Sequence, residues 1–154
     1  MTISAEVPIE ESAHTQVRDI TFCPGGLLGF EQLTKFSLTP YDEELPFYWL
    51  RSQEEEGIAF VVIEPHQFQE DYAFDLPDEV AAELQIESIQ DAFVLVILTL
   101  SENVAQITAN LAGPLIFNVH TNQGRQLVLD SARYPLRHPL FPEGLPEEPQ
   151  EDQA

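Results

Sequence analysis

The chain has 154 residues, is 44% hydrophobic, and carries 27 Asp and Glu against 6 Lys and Arg, a formal net charge of -21 at pH 7. That length suits a single domain with one core, and such a charge repels nucleic acid. The longest apolar run, AFVLVILTL at 92–100, is far shorter than the ~20 residues that span a bilayer, and the lone Cys23 has no internal disulfide partner.

The first segment, MTISAEVPIEES, has no basic n-region and no apolar h-region, so it does not read as a secretory signal and the cytoplasm is the expected compartment. Residues 1–13 are polar and acidic with little periodicity and read as a flexible arm; the folded domain is expected over 14–141. In QVRDITF, Ile20 and Phe22 share a face, and CPGG at 23–26 stops the strand. GFEQL reads as a short helical turn that sets Phe30 beside Leu33. A strand comes next, with Phe36 and Leu38 inward and Lys35 and Ser37 outward, ended by Pro40. FYWLRS and IAFVVIEP, separated by QEEEG, read as a hairpin whose second strand, apolar on both faces, is central.

Further on, the period-2 pattern fades after Phe74 and a short helix begins near Pro77. Asp78 and Glu79 complement its positive end, and Val80 and Leu84 form its buried stripe. DAFVLVILTLSE is the most β-prone run and pairs with AQITANL through the turn near SENVA. PLIFNV and RQLVLD are joined by HTNQG, in which Asn122 and Gly124 suit the positive φ of a hairpin turn. The whole is all-β, about eight short strands with one or two short helices, spaced as in an antiparallel sandwich or barrel. Residues 142–154, rich in Pro and Glu, read as a disordered acidic tail.

One stretch resists simple assignment. ITANLAGPLIFNVHT, 107–121, alternates like a strand yet carries Gly113-Pro114 in its middle. Proline cannot donate to a β-ladder, so Pro114 belongs at an edge, a strand start or a bulge, with Gly113 permitting a bend. Asn110 and Asn118 bracket the break, either as amides that satisfy backbone groups freed by it or as contacts to a partner.

The search for reaction chemistry is negative. His14, His66, His120 and His138 lack metal-ligand spacing, and no G-x-S-x-G, P-loop or G-x-G-x-x-G occurs. Asp71, Asp75 and Asp78 lack the spacing and central Gly of an EF-hand loop, and nothing local lowers the Cys23 pKa. No enzyme, metal or cofactor is expected. What remains is surface. No Lys or Arg lies between Arg51 and Arg125, which gives the middle of the chain a negative field fit for a basic protein partner, or for solubility alone. In DYAFDL, Tyr72 and Phe74 share one face and Asp71, Asp75 and Glu79 flank them, the composition of a partner-binding patch; the alternative is that both rings are core beneath the helix.

The ordered set GLLGFEQLTKFSL (26–38), DYAFDLPDE (71–79), VILTL (96–100), TANLAGPLIFN (108–118), RQLVL (125–129) and YPLRH (134–138) resembles the flagellar assembly factor FliW family over roughly residues 15–140. The resemblance implies a compact, cytoplasmic, non-enzymatic antiparallel β-barrel-like protein, a monomer on its own, with two partners. One is newly made flagellin, held chaperone-fashion near its terminal helical regions. The other is CsrA, a small basic RNA-binding dimer that represses flagellin translation, captured largely away from its RNA surface. Competition between the two couples flagellin translation to export. The candidate contacts are Asp71, Tyr72, Phe74, Asp75, Glu79, Asn110, Pro114 and Asn118. Where the family commonly has Ala before this proline the chain has Gly113, which predicts a looser bend. A small-ligand-binding β-barrel and a generic acidic interaction module are the alternatives.

Overall fold

The computed structural model describes residues 2–4, 18–23, 25–41, 47–69 and 71–140. Its elements in chain order are β1 (Thr2–Ser4), β2 (Arg18–Phe22), β3 (Lys35–Pro40), β4 (Phe47–Ser52), β5 (Ala59–Ile63), β6 (Ala73–Asp75), α1 (Asp78–Glu83), β7 (Ala92–Thr99), β8 (Thr108–Ala109), β9 (Leu115–Asn118), β10 (Gln123–Gln126) and β11 (His138–Pro139). Seven of the strands pair in the order β7-β5-β4-β3-β2-β10-β9, and β9 pairs back onto β7, so the sheet closes into a barrel. Closure removes the open edges that a flat sheet of this composition would expose. The pairings are antiparallel except that β10 runs parallel to β2.

Two cores result from the period-2 alternation. Ile20, Phe22, Phe36, Leu38, Leu50, Val62, Phe93, Leu95, Leu115 and Phe117 point into the barrel. Phe22 meets Phe36 edge-on at 5.3 Å, and Phe93 stacks on Phe117 at 4.9 Å. The small-ligand alternative thus meets an interior already filled with aromatic side chains. On the outer face of β5, β7 and β9, residues Val61, Ile63, Val94, Val96, Leu98 and Ile116 are buried as well, beneath a cladding that includes Ile3, Phe74, Leu84, Leu111 and Leu140. By contrast, Asp19, Thr21 and Lys35 on the outer face of β2 and β3 are exposed.

Several expectations change. Thr2–Ser4, read as part of a flexible arm, pairs with β6 antiparallel, and Ile3 opposite Phe74 is wholly buried. A single apolar residue in a three-residue strand shows no periodicity, so the sequence carries no signal for it. The rest of the expected arm and the expected disordered tail lie outside the described residues. GFEQL, expected as a short helical turn, lies in two successive turns, with the Phe30 N–H donating to the Leu27 carbonyl at 3.0 Å and the Leu33 N–H to that of Phe30 at 2.9 Å. In α1, Ala81 and Leu84 are the buried stripe, and Val80 is only half-buried. Asn122 does adopt positive φ, 61°, but Gly124 does not: it is a strand residue of β10 paired with Phe117. Its role is spatial, since a Cβ there would overlap the Phe117 ring.

The register of the β9–β10 pair explains Gly113-Pro114. Gln126 lies opposite Leu115, so the next residues along place Leu127 opposite Pro114 and Leu129 opposite Ala112. The Leu127 N–H donates to the Pro114 carbonyl at 2.8 Å, and the Leu129 N–H to that of Ala112 at 2.7 Å. Neither bond is returned: Pro114 has no N–H, and the Ala112 N–H donates instead to Asn110 Oδ1 at 3.0 Å. The ladder therefore continues with half its bonds, and the regular strand stops at Leu115. The bend is tightly packed rather than loose. Gln126 Nε2 donates to the Gly113 carbonyl at 3.0 Å, and a Cβ at Gly113 would stand 2.7 Å from that nitrogen.

Replacing Gly124 by Ala forces the Phe117 ring out of its stack with Phe93, and overpacking of this kind costs about 1–3 kcal/mol. Urea unfolding of Gly124→Ala should show a lower midpoint with an unchanged slope; an unchanged midpoint would mean that the Phe117 ring moves freely.

Candidate partner-binding site

The segment leading into α1, together with the first turn of that helix, carries five of the eight candidate residues. After a 3-10 turn at Pro65–Gln67 the chain becomes extended and lays β6 over the outer face of the barrel. Alternation then puts Tyr72, Phe74 and Leu76 on one side, and that side faces the outer core. Tyr72 and Phe74 are 4% and 3% exposed. The Tyr72 hydroxyl donates to the Leu111 carbonyl at 2.7 Å, and its ring contacts those of Phe74 at 5.7 Å and Tyr134 at 5.9 Å. Burial pushes the Tyr72 phenol far above its ordinary range. Of the two readings open for these rings, the geometry displays the core one: they share a face, and the face is internal.

The opposite side of the same segment holds the acids. Asp71, Asp75, Asp78 and Glu79 are all exposed. Asp71 accepts from Gln69 Nε2 at 2.7 Å, and Asp75 accepts from the Thr2 hydroxyl at 3.1 Å. Asp78 and Glu79 occupy the first turn of α1, where the helix dipole favours them. The structure therefore separates the predicted patch into a buried aromatic layer and an exposed acidic ridge.

Asn110, Pro114 and Asn118 are engaged internally. Asn118 is 2% exposed and uses both ends of its amide. Nδ2 donates to the Leu84 and Gln85 carbonyls at 2.8 and 3.2 Å, while Oδ1 accepts from the His120 and Thr121 amides at 2.7 and 3.2 Å. One side chain so ties the end of α1 to the turn between β9 and β10. Asn110 closes a local turn through Ala112, and buried Pro114 offers its carbonyl to Leu127. Of the two roles open for the asparagines, the geometry displays the structural one.

Asp71 and Tyr72 join residues outside the predicted set, Leu111, Arg133, Tyr134 and His138, in lining a groove of about 380 Å³. The Tyr134 hydroxyl donates to the Ala73 carbonyl at 2.8 Å, and the Arg133 guanidinium lies 5.3 Å from the Tyr134 ring centre. The YPLRH stretch was the available signal, but its placement against β6 depends on a contact between residues 61 positions apart. On the far side of α1, Arg125 grips Glu83 through two bonds of 2.7 and 3.1 Å and holds that carboxyl below the usual range. Burial, then the neighbouring Glu83, raises the Cys23 thiol, so it stays protonated.

A FliW protein profile matches residues 6–140. The chain belongs to the FliW family. It is 48% identical over 123 residues to the flagellar assembly factor FliW of Caldicellulosiruptor bescii, covering 80% of each chain, and 42% identical over 116 residues to that of Clostridium kluyveri strain ATCC 8527, covering 75% of this chain and 80% of the other. A crystal structure of the flagellar assembly factor FliW superposes with a TM-score of 0.74 at 33% identity, over 93% of this chain and 98% of that one. The barrel described above is thus the fold of this family of flagellar assembly factors. Among the described residues no helix is long and apolar enough to cross a membrane.

Burial and charge each lead to a measurable outcome. Tyr72→Ala should lower stability by about 3–5 kcal/mol, as truncation of a buried aromatic does, whereas an exposed anchor would leave the melting temperature nearly unchanged. Glu83 has a lowered carboxyl pKa in the fold, first through its bond to Arg125, and Asp91 likewise through its 3.0 Å contact with His120. A depressed folded pKa adds stability above the unfolded pKa and loses it as pH falls through the folded one. Melting temperature should accordingly drop below about pH 4.3, the ordinary Glu value, and Arg125→Gln should flatten part of that acid limb; an unchanged acid limb would show that the pair is unformed in solution.

Proposed function

We propose that this protein binds newly made flagellin in the cytoplasm and antagonises the translational repressor CsrA by direct protein–protein contact, which couples flagellin translation to export. The observation that carries this reading is the exposed ridge of Asp71, Asp75, Asp78 and Glu79, set in a stretch with no Lys or Arg between positions 51 and 125. A negative surface of this kind accelerates encounter with a basic partner and rejects RNA. It acts without reaction chemistry, as a monomer that exchanges one partner for the other. Flagellin's amphipathic segments are served by the groove beside Tyr134 and the neighbouring exposed Leu136.

Binding of the purified protein to CsrA and to flagellin, separately and in competition, is the direct measurement. CsrA affinity should fall steeply as salt shortens the Debye length from about 10 Å at 0.1 M to about 3 Å at 1 M. The charge reversal Asp71→Lys with Asp75→Lys and Glu79→Lys should weaken CsrA about tenfold, roughly 1.4 kcal/mol, with the fold intact. A salt-independent affinity, or no binding of either protein, would overturn the proposal.

A further inference from the structure

We propose that the acidic segment 141–154 of this chain folds back into the groove between β6 and the 133–138 segment, where it occupies in cis a surface that other peptides compete for. This shares with the partner exchange proposed above the groove beside Tyr134 and goes beyond it by naming a segment of this chain as the occupant.

With 27 acids to 6 Lys and Arg, a basic side chain in this protein should readily find a carboxylate. Arg125 has found Glu83, Arg18 donates to Asn122 Oδ1 at 3.0 Å, and Arg51 lies 4.8 Å from the Trp49 ring centre. Arg133 and Arg137 stand only four positions apart, both exposed, and among the described residues neither meets a carboxylate. Asp71, on the groove wall, is engaged by Gln69 instead. A concentrated positive spot of this acidic protein therefore flanks its groove.

The end of the chain is complementary to that spot. Residues 141–154, FPEGLPEEPQEDQA, hold Glu143, Glu147, Glu148, Glu151 and Asp152 and no base. Pro142, Leu145 and Pro146 are apolar residues of a kind that the half-buried Tyr134 ring accepts. The segment follows Leu140, whose N–H donates to the Ile107 carbonyl at 2.9 Å, two residues after His138 on the groove wall. Fourteen residues at ~3.3 Å each reach about 45 Å, so length does not prevent the return. Tethering sets an effective concentration in the millimolar range, enough to populate even a weak contact.

The test uses the full chain. In Cys23→Ser with Ala154→Cys, a nitroxide attached at position 154 should reduce the NMR amide signals of Ala73, Arg133, Tyr134 and His138 while those of Asp19 and Lys35 keep their intensity. The loss should vanish at 1 M salt, in Arg133→Gln with Arg137→Gln, and in Glu143→Gln with Glu147→Gln and Glu148→Gln; the last variant changes only the segment beyond Leu140 and guards against misfolding of the first. Uniform loss, no loss, or loss that survives these changes overturns the proposal. So does loss carried over to isotope-labelled chains without the nitroxide when they are mixed with nitroxide-bearing ones, since the segment would then dock on a second molecule. Flagellin and CsrA are absent from the experiment, so its outcome is independent of the function proposed above.

Discussion

The pairing of β7 with both β5 and β9 is the constraint on which the structure depends. β7 is the longest strand, and residues Ala92 to Val96 are buried without interruption. Its odd-numbered side chains Phe93 and Leu95 fill the barrel, while Val94, Val96 and Leu98 turn outward. A strand buried on both faces cannot lie at an edge. Closing the sheet on it solves the inner face, and the outer face then requires a second layer. That requirement accounts for β1, β6, α1 and the segments around β8 and β11, each too short to stand alone.

The same demand determines what the surface can offer. Because β6 is recruited as cladding, its aromatic side chains serve the outer core and its acids are left to solvent. Among the described residues only Glu64 and Asn118 are polar and buried in the core. Asn118 meets the cost of that burial by satisfying both ends of its amide. The charge is thus pressed onto loops, the start of α1 and the open faces of β2 and β3, which leaves a negative field around a doubly packed body.

How far the structure was legible in the sequence depends on the range of each interaction. The barrel strands were visible because Ile20 with Phe22, Phe36 with Leu38, and the run from Ala92 to Leu98 declare their faces locally. The family resemblance in the quoted motifs was equally local. Gly124 misleads because Asn-x-Gly resembles a turn, whereas its real constraint is the Phe117 ring across the hairpin. Tyr72 and Phe74 do lie on one face, but alternation says nothing about which face looks inward; that depends on Ile3, some seventy positions earlier. The groove joins β6 to Tyr134 through tertiary contact alone, and no pattern within either segment announces it.

Pro114 links these levels. Without its N–H, the hairpin of β9 and β10 cannot extend as a full ladder, yet the carbonyls of Pro114 and Ala112 still hold Leu127 and Leu129. The chain beyond is therefore guided along the barrel rather than locked into the sheet, and it is free to turn at Asp130, whose carbonyl accepts from the Arg133 and Tyr134 amides at 3.0 and 2.9 Å. That turn carries Tyr134 onto Ala73, and the Pro135 carbonyl then accepts the Leu111 N–H at 2.9 Å, returning the wall of the groove to the bend from which it started. A full ladder at positions 112–114 would bind the 127–130 segment from both sides and carry Arg133 away from β6. The missing donor of one proline thus shapes the place where Arg133 of this acidic protein lines a hollow.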